Sequence, residues 1–158
     1  MGTMKLSSFS LDNSNGNSYE FPTKGRSIVC FLKEDCPTCR EVMPVIDSMA
    51  VAMASQIDLF ILGQTTEGNK ILEEEFSPRF SILDDSQLKV SFGADVETVP
   101  TLFVADSQGN IESSLVGFVK EDWRALVKEL IVENGLNEPN LDWETLPDWR
   151  PGCGSLSV

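Results

Sequence analysis

The sequence predicts an α/β fold in which a mixed central sheet is flanked by helices. Short apolar runs rich in β-branched residues alternate with segments whose apolar residues recur at helical spacing, a pattern typical of strands that cross over into helices. An Asn-Gly pair near the N-terminus predicts a β-hairpin ahead of the first such unit. The 158 residues match one ordinary domain, which is long enough to bury a core without disulfide bonds.

The N-terminal part predicts a hairpin followed by three strand–helix units. Asn15-Gly16 lies between two extended runs, Ser7–Leu11 and Ser18–Phe21, which form the hairpin. The strand–helix units that follow pair Ser27–Lys33 with Glu41–Ala54, Ile57–Leu62 with Glu67–Phe76, and Phe80–Leu83 with Ser86–Phe92. The strands are short and apolar, as expected for parallel strands buried on both faces.

The C-terminal part predicts a second hairpin, a helix and a tail. Thr101–Ala105 and Ile111–Gly117 flank a turn, and a helix follows that ends at Gly135. Its buried face is predicted to consist of Trp123, Leu126, Val127, Leu130 and Ile131. We interpret residues 1–4 as a cloning remnant, 5–135 as the domain and 136–158 as an irregular tail, packed on the domain by Trp143 and Trp149.

Composition and charge exclude several classes of function. The chain has 12 Lys and Arg against 25 Asp and Glu, a formal net charge of −13, which disfavours nucleic-acid and membrane-surface partners. It has no histidine, which excludes Ser-His-Asp and Cys-His nucleophilic sites and His-ligated zinc. No apolar run approaches the ~20 residues of a membrane-spanning helix. Among the groups that remain, the four cysteines are the best candidates for chemistry.

Two of these cysteines form the motif Cys36-Pro37-Thr38-Cys39, directly after a predicted strand and at the start of a predicted helix. Pro37 suits the first helical position, where the missing N–H costs nothing. Cys36 then lies where free backbone N–H groups and the helix dipole stabilise a thiolate. We expect its sulfur to be partly exposed and that of Cys39 to be more covered. This arrangement suits thiol–disulfide exchange.

Together with two further motifs, the dithiol resembles the thioredoxin-like thiol–disulfide oxidoreductases. Pro44 lies eight residues after Cys36, where that family has a helix-kinking proline, and the Val-Pro-Thr run at 99–101 matches its cis-proline loop. The N-terminal hairpin and the 64 residues between Cys36 and Pro100 resemble the redoxin (TlpA-like) branch, which carries an extra strand–helix pair.

The resemblance implies a thioredoxin-like fold and a function in which disulfides of other proteins are reduced rather than oxidised. Cys36 would be the attacking thiolate and Cys39 the resolving thiol. Pro100 would shape the substrate groove, with the Val99 backbone pairing to the bound peptide. No cofactor or metal is implied, and the partners would be protein disulfides and an upstream dithiol donor. The compartment is open: cytoplasmic as the sequence stands, or extracytoplasmic if a leader was removed.

The sequence also departs from the family pattern around the dithiol. Glu34 and Asp35 directly precede Cys36, and two acids there are expected to raise the thiol pKa that the helix lowers. The position at which the family has a buried acid holds Cys30, which we interpret as a packed core residue. The missing acid favours an alternative function, a non-catalytic binding or maturation module with the same fold.

Cys153 stands alone in a Gly-Cys-Gly run of the tail. One interpretation is an exposed tail thiol, and the other is an auxiliary redox thiol that reaches the dithiol or pairs between chains. A Cys₄ zinc site is the remaining alternative for the four cysteines, although its usual second close-spaced pair is missing.

Overall fold

A five-stranded mixed sheet forms the centre of the computed structural model, which describes residues 4–158. The strands are β1 (Phe9–Asp12), β2 (Ser18–Phe21), β3 (Ser27–Leu32), β4 (Asp58–Gly63), β5 (Ile82–Asp84), β6 (Thr98–Val99), β7 (Thr101–Ala105), β8 (Ile111–Val116), β9 (Phe118–Val119), β10 (Trp149–Arg150) and β11 (Cys153–Gly154). In the central sheet their order is β5-β4-β3-β7-β8. The first three of these are mutually parallel, and β7 and β8 each run antiparallel to the preceding neighbour. The predicted mixed sheet is therefore confirmed.

Within residues 4–158, four α-helices and one short 3₁₀ helix accompany the sheet. They are α1 (Pro37–Met53), α2 (Thr66–Phe76), α3 (Lys89–Gly93), α4 (Lys120–Asn134) and the 3₁₀ helix Trp143–Thr145. Helix α4 buries the five apolar residues that the sequence predicts and ends at Gly135, whose φ of 61° suits glycine. Pro44 lies inside α1, as the resemblance implies.

The N-terminal hairpin is held on the sheet by aromatic rings. Phe9 stacks on Phe21 with ring centroids 5.0 Å apart, and both meet Phe60 of β4 edge-on at 5.6 and 5.5 Å. Such offset and edge-to-face contacts add to the burial of the rings themselves. The predicted hairpin is confirmed, although its first strand begins at Phe9 rather than at Ser7.

Helix α1 begins at Pro37, the first helical position that the sequence predicts, and the segment with its apolar stripe starts four residues later at Glu41. Helix α2 begins at Thr66, one residue before the predicted Glu67. Helix α3 begins at Lys89 rather than at Ser86. The preceding residues form a turn in which the Ser86 N–H donates to the Asp84 carboxylate at 2.8 Å, and this bond stabilises a non-helical backbone.

One buried tryptophan and two short ladders are among the contacts that the tail makes with the rest of the chain. Trp143 is buried, but Trp149 is 63% exposed, so the prediction that both tryptophans act as anchors is wrong for Trp149. Its backbone pairs instead, because β10 runs antiparallel to β9. Further along, β11 runs antiparallel to β6.

The interpretation of residues 1–4 as a cloning remnant lies, for 1–3, outside the described residues. Within residues 4–158, none of the helices combines the length and the apolar character needed to cross a membrane.

Candidate active site

The dithiol lies at the N-terminus of α1, at the edge of the sheet where β3 ends. Cys36 is the N-cap, with extended backbone angles (φ −102°, ψ 112°), and Pro37 occupies the first helical position. The Cys36 sulfur takes the place of an N-cap oxygen, because it accepts the N–H of Cys39 at 3.2 Å. A thiolate at this position is therefore stabilised by a backbone donor and by the positive end of the helix.

The two thiols of the motif have opposite pKa shifts. Hydrogen bonds, first from the Cys39 thiol and then from the Cys153 thiol and the backbone of Cys39 and Thr38, outweigh burial and lower the pKa of Cys36 to about 6. Burial, and next the neighbouring Cys36, raise the pKa of Cys39 strongly. At neutral pH the pair therefore consists of a thiolate at Cys36 and a protonated thiol at Cys39 that donates to it.

The two acids before Cys36 do not raise its pKa above that of an ordinary thiol, contrary to the sequence-based expectation. Asp35 is exposed and pairs with Lys33 at 3.4 Å, so a cation offsets its charge. The Glu34 carboxylate turns toward α2, where it accepts from the Thr65 hydroxyl at 3.4 Å. Both carboxylates are thus engaged elsewhere, and the hydrogen bonds to the sulfur dominate.

The loop of Val99 and Pro100 lies beside the dithiol. The Val99-Pro100 peptide bond is cis, as predicted. The Cys36 sulfur lies 3.5 Å from the Val99 carbonyl oxygen, at hydrogen-bond distance for a thiol. The structure thus brings together Cys36 and Val99, two residues 63 positions apart that the sequence singled out.

Cys153 joins the same cluster because β11 pairs with β6. Cys153 is the direct register partner of Val99, whose carbonyl oxygen lies 3.5 Å from the Cys36 sulfur, and the Cys153 side chain contributes to the lowered pKa of Cys36. The tail covers the dithiol so completely that Cys36 is 0% exposed. The expectation of a partly exposed Cys36 is therefore wrong, because the sequence gives no sign of where the tail lies.

Three further residues that sequence reasoning missed hold the tail in place. Thr38 of the motif donates its hydroxyl hydrogen bond to the Pro151 carbonyl, and Lys33 donates to the Gly154 carbonyl at 2.8 Å. Gln64 is buried at the end of β4, where its amide donates to the Ser155 hydroxyl at 2.7 Å and accepts the Leu156 N–H at 3.0 Å. A polar residue directly after a buried strand was the only signal for Gln64.

Cys30 has the place that its interpretation as a core residue requires. It is 0% exposed in the middle of β3, and burial raises its pKa strongly. In the part of the chain that the structure describes, no three His, Cys, Asp or Glu side chains are grouped so that they could hold a metal ion. Cys30 is thus a packed thiol inside the sheet, whereas Cys36 and Cys39 lie at the start of α1 and Cys153 lies on β11.

Comparisons with known proteins agree with this architecture. No protein-family model and no curated protein matches the sequence. Among solved structures, this chain is similar to a protein described as thiol:disulfide interchange protein DsbE from Chlorobium tepidum, with a TM-score of 0.74 and 20% identity over 84% of this chain and 96% of that one. It is also similar to StoA from Bacillus subtilis (TM-score 0.68, 22% identity, 78% and 96% covered). The thioredoxin domain of a thiol–disulfide oxidoreductase from Bacteroides vulgatus is a third example (0.68, 16%, 83% and 99%). This chain therefore has the thioredoxin-like fold, with an N-terminal hairpin and one more strand–helix pair, β5 and α3.

Proposed function

We propose that this protein catalyses thiol–disulfide exchange on protein substrates and acts mainly as a reductase. The observation that carries the proposal is the opposite shift of the two pKa values at one helix N-terminus. Cys36 is a thiolate at neutral pH, whereas Cys39 holds its proton. One group is thus ready to attack, and the second is held back until the first has reacted.

The order of events follows from this difference. The Cys36 thiolate attacks one sulfur of a substrate disulfide, and the other substrate sulfur leaves and takes up a proton. Cys39 then loses its proton and attacks the Cys36 sulfur, which releases the second substrate thiol and leaves a Cys36–Cys39 disulfide. An upstream dithiol donor restores the reduced pair. Val99, whose carbonyl lies beside the Cys36 sulfur, would pair with the backbone of the bound substrate.

The size of the shift at Cys36 supports the reducing direction. A more stable thiolate stabilises the reduced protein and makes it a stronger oxidant. The pKa of about 6 at Cys36 lies closer to the ~7 of reducing members of this fold than to the ~3.5 of strongly oxidising ones.

A second candidate function is a non-catalytic binding module, and the tail over the dithiol is the observation that favours it. A disulfide-reduction assay on insulin, with dithiothreitol as donor, separates the two. We expect wild type to be faster than Cys36→Ser and Cys39→Ser, and Cys30→Ala, which removes the packed thiol, to behave as wild type. A wild-type rate no higher than that of Cys36→Ser would refute the exchange function.

A further inference from the structure

We propose that Cys153 is a third exchanging thiol, which forms a disulfide with Cys36 in competition with Cys39. The tail runs as an extended strand in the groove beside the cis-proline loop, which places Cys153 next to the dithiol. The inference rests on the proposed function, since the exchange function supplies the oxidised Cys36 on which Cys153 acts. The tail thereby gains a chemical role, whereas exchange through Cys36 and Cys39 alone gives it none.

The backbone of the tail is bound as an added strand. Cys153 and Gly154 are the register partners of Val99 and Thr98, and one step further the Ser155 N–H donates to the Glu97 carbonyl at 3.0 Å. An extended peptide that adds to a free strand edge binds in the same manner. The tail therefore presents Cys153 to Cys36 as a bound peptide would present its own cysteine.

The approach of the two backbones is close enough to require a glycine. A Cβ added to Gly152 would lie 2.2 Å from Thr98 Cγ2 and 2.7 Å from the Val99 carbonyl oxygen, well inside van der Waals contact. A Cβ added to Gly154, two residues on, would meet no atom within 4 Å. A side chain at position 152 is therefore incompatible with the docked tail, whereas a side chain at position 154 is compatible with it.

The docking is reinforced on both sides of Cys153. On the N-terminal side, Thr38 binds the Pro151 carbonyl, and on the C-terminal side Lys33 binds that of Gly154. Beyond these, the buried Gln64 makes two of its three hydrogen bonds to the tail. If the tail left the groove, these partners of a buried amide would be lost, which opposes undocking.

The exchange step needs no oxidant beyond the substrate disulfide that formed the Cys36–Cys39 bond. The Cys153 thiolate attacks the Cys36 sulfur, and a Cys36–Cys153 bond forms as the Cys36–Cys39 bond breaks. The electron pair of the broken bond goes to the Cys39 sulfur, which takes up the proton that Cys153 lost. One disulfide and one thiol are present before and after, so the step is an isomerisation.

The surroundings of the three sulfurs support this step. Burial and, after it, the neighbouring Cys36 raise the pKa of Cys153 to about 11, whereas Lys33 lowers it. Once Cys36 is part of a disulfide it has no charge, so its contribution disappears and that of Lys33 remains. After the step Cys39 is a protonated thiol, which is the form that its burial favours.

The test is the disulfide connectivity of the oxidised full-length protein. Reduced protein is treated with oxidised glutathione at neutral pH, quenched with acid, alkylated, digested with trypsin and analysed by mass spectrometry. Cys36 and Cys39 share one tryptic peptide, from Glu34 to Arg40, so a Cys36–Cys39 bond stays within one peptide while any bond to Cys153 joins two. Fragmentation of the joined pair identifies the cysteine that is bonded.

We expect a joined pair bonded through Cys36 in wild type and in Cys39→Ser. In Gly152→Ala the fraction of protein with the Cys36–Cys153 bond should fall by about tenfold or more, which corresponds to a loss of about 1.4 kcal/mol in the free energy of docking the tail. In Gly154→Ala this fraction should stay as in wild type. Cys36–Cys39 alone, with alkylated Cys153, in wild type would overturn the inference. So would a joined pair whose share is equal in the two glycine variants. Because glutathione is the oxidant, these outcomes do not depend on insulin reduction, whose failure would refute the proposed function separately.

Discussion

The ionisation of Cys36 offers the sharpest quantitative test of this site. A pKa of about 6, against 9.0 for an unperturbed thiol, means that at pH 7 about 90% of Cys36 is thiolate rather than about 1%. Of the hydrogen bonds that produce the shift, the one from Cys153 can be deleted without altering the motif itself. A hydrogen bond to a charged group contributes about 1.5 kcal/mol, so Cys153→Ala should raise the Cys36 pKa by about one unit.

Thiolate absorbance in the ultraviolet, followed against pH in the reduced protein, measures this without a reagent that must reach the buried sulfur. Wild type should show one transition near pH 6, Cys153→Ala the same transition about one unit higher, and Cys36→Ala none in this range. A Cys36 transition near pH 9 in wild type would refute the argument that hydrogen bonds outweigh burial. An unchanged midpoint in Cys153→Ala would show that the tail does not donate to the thiolate in solution.

The sign of the shift also fixes how stability depends on pH. Between about pH 6 and 9 the unfolded chain holds a proton on Cys36 that the folded chain has lost, so stability rises with pH across this window. Below about pH 6 the contribution is gone. Urea titrations of the reduced protein at pH 5, 7 and 8 should show the rise in wild type and not in Cys36→Ala.

Three further variants test the tail and the core. Gly152→Ala should reduce insulin up to about tenfold faster than wild type and Gly154→Ala, because the clash with Val99 opens the groove; a rate at or below wild type would argue against the tail as an obstacle. Gln64→Ala should lower the free energy of unfolding by about 2 kcal/mol in urea titrations, because it leaves the buried hydroxyls of Ser91 and Ser155 without their hydrogen bonds from the amide. Gln87→Ala, at an exposed position, should change the free energy of unfolding by less than about 0.5 kcal/mol. Cys30→Ala should cost about 1 kcal/mol of stability through the small cavity it leaves and retain full insulin reduction, and a loss of activity would show that the packed thiol takes part.

The central sheet, the hairpin and the dithiol were predictable because each carries a signal within a few residues of itself. The run of six buried residues in β3, the Asn-Gly turn and the Cys-x-x-Cys spacing are of this kind. The tail was not, because its strands are two residues long and show no period. The Gly-Cys-Gly run around Cys153 did not distinguish Gly152, where the backbone approaches Val99 closely, from Gly154, where it does not.

The same limit explains the errors about exposure. Burial of Cys36 depends on chain more than a hundred residues away, and no local pattern around the motif reports it. For Trp149 the error has the opposite sign, because the side chain was expected to be buried and is exposed. A large apolar side chain in a tail suggests an anchor, but here backbone pairing with Val119 attaches the tail to the domain.

Because the docked tail belongs to the same chain, it acts as a competitor that dilution cannot remove. Cys153 lies 18 residues after the end of α4 at Gly135, and a tether of this length gives an effective concentration on the order of millimolar. Suppose that the tail, as a free peptide, would bind the groove with a Kd of about 10 μM. An effective tail concentration of about 1 mM would then weaken the binding of a substrate peptide about a hundredfold relative to an open groove. Under the proposed function, the tail would set an affinity threshold that favours substrates with contacts to the protein beyond the groove itself.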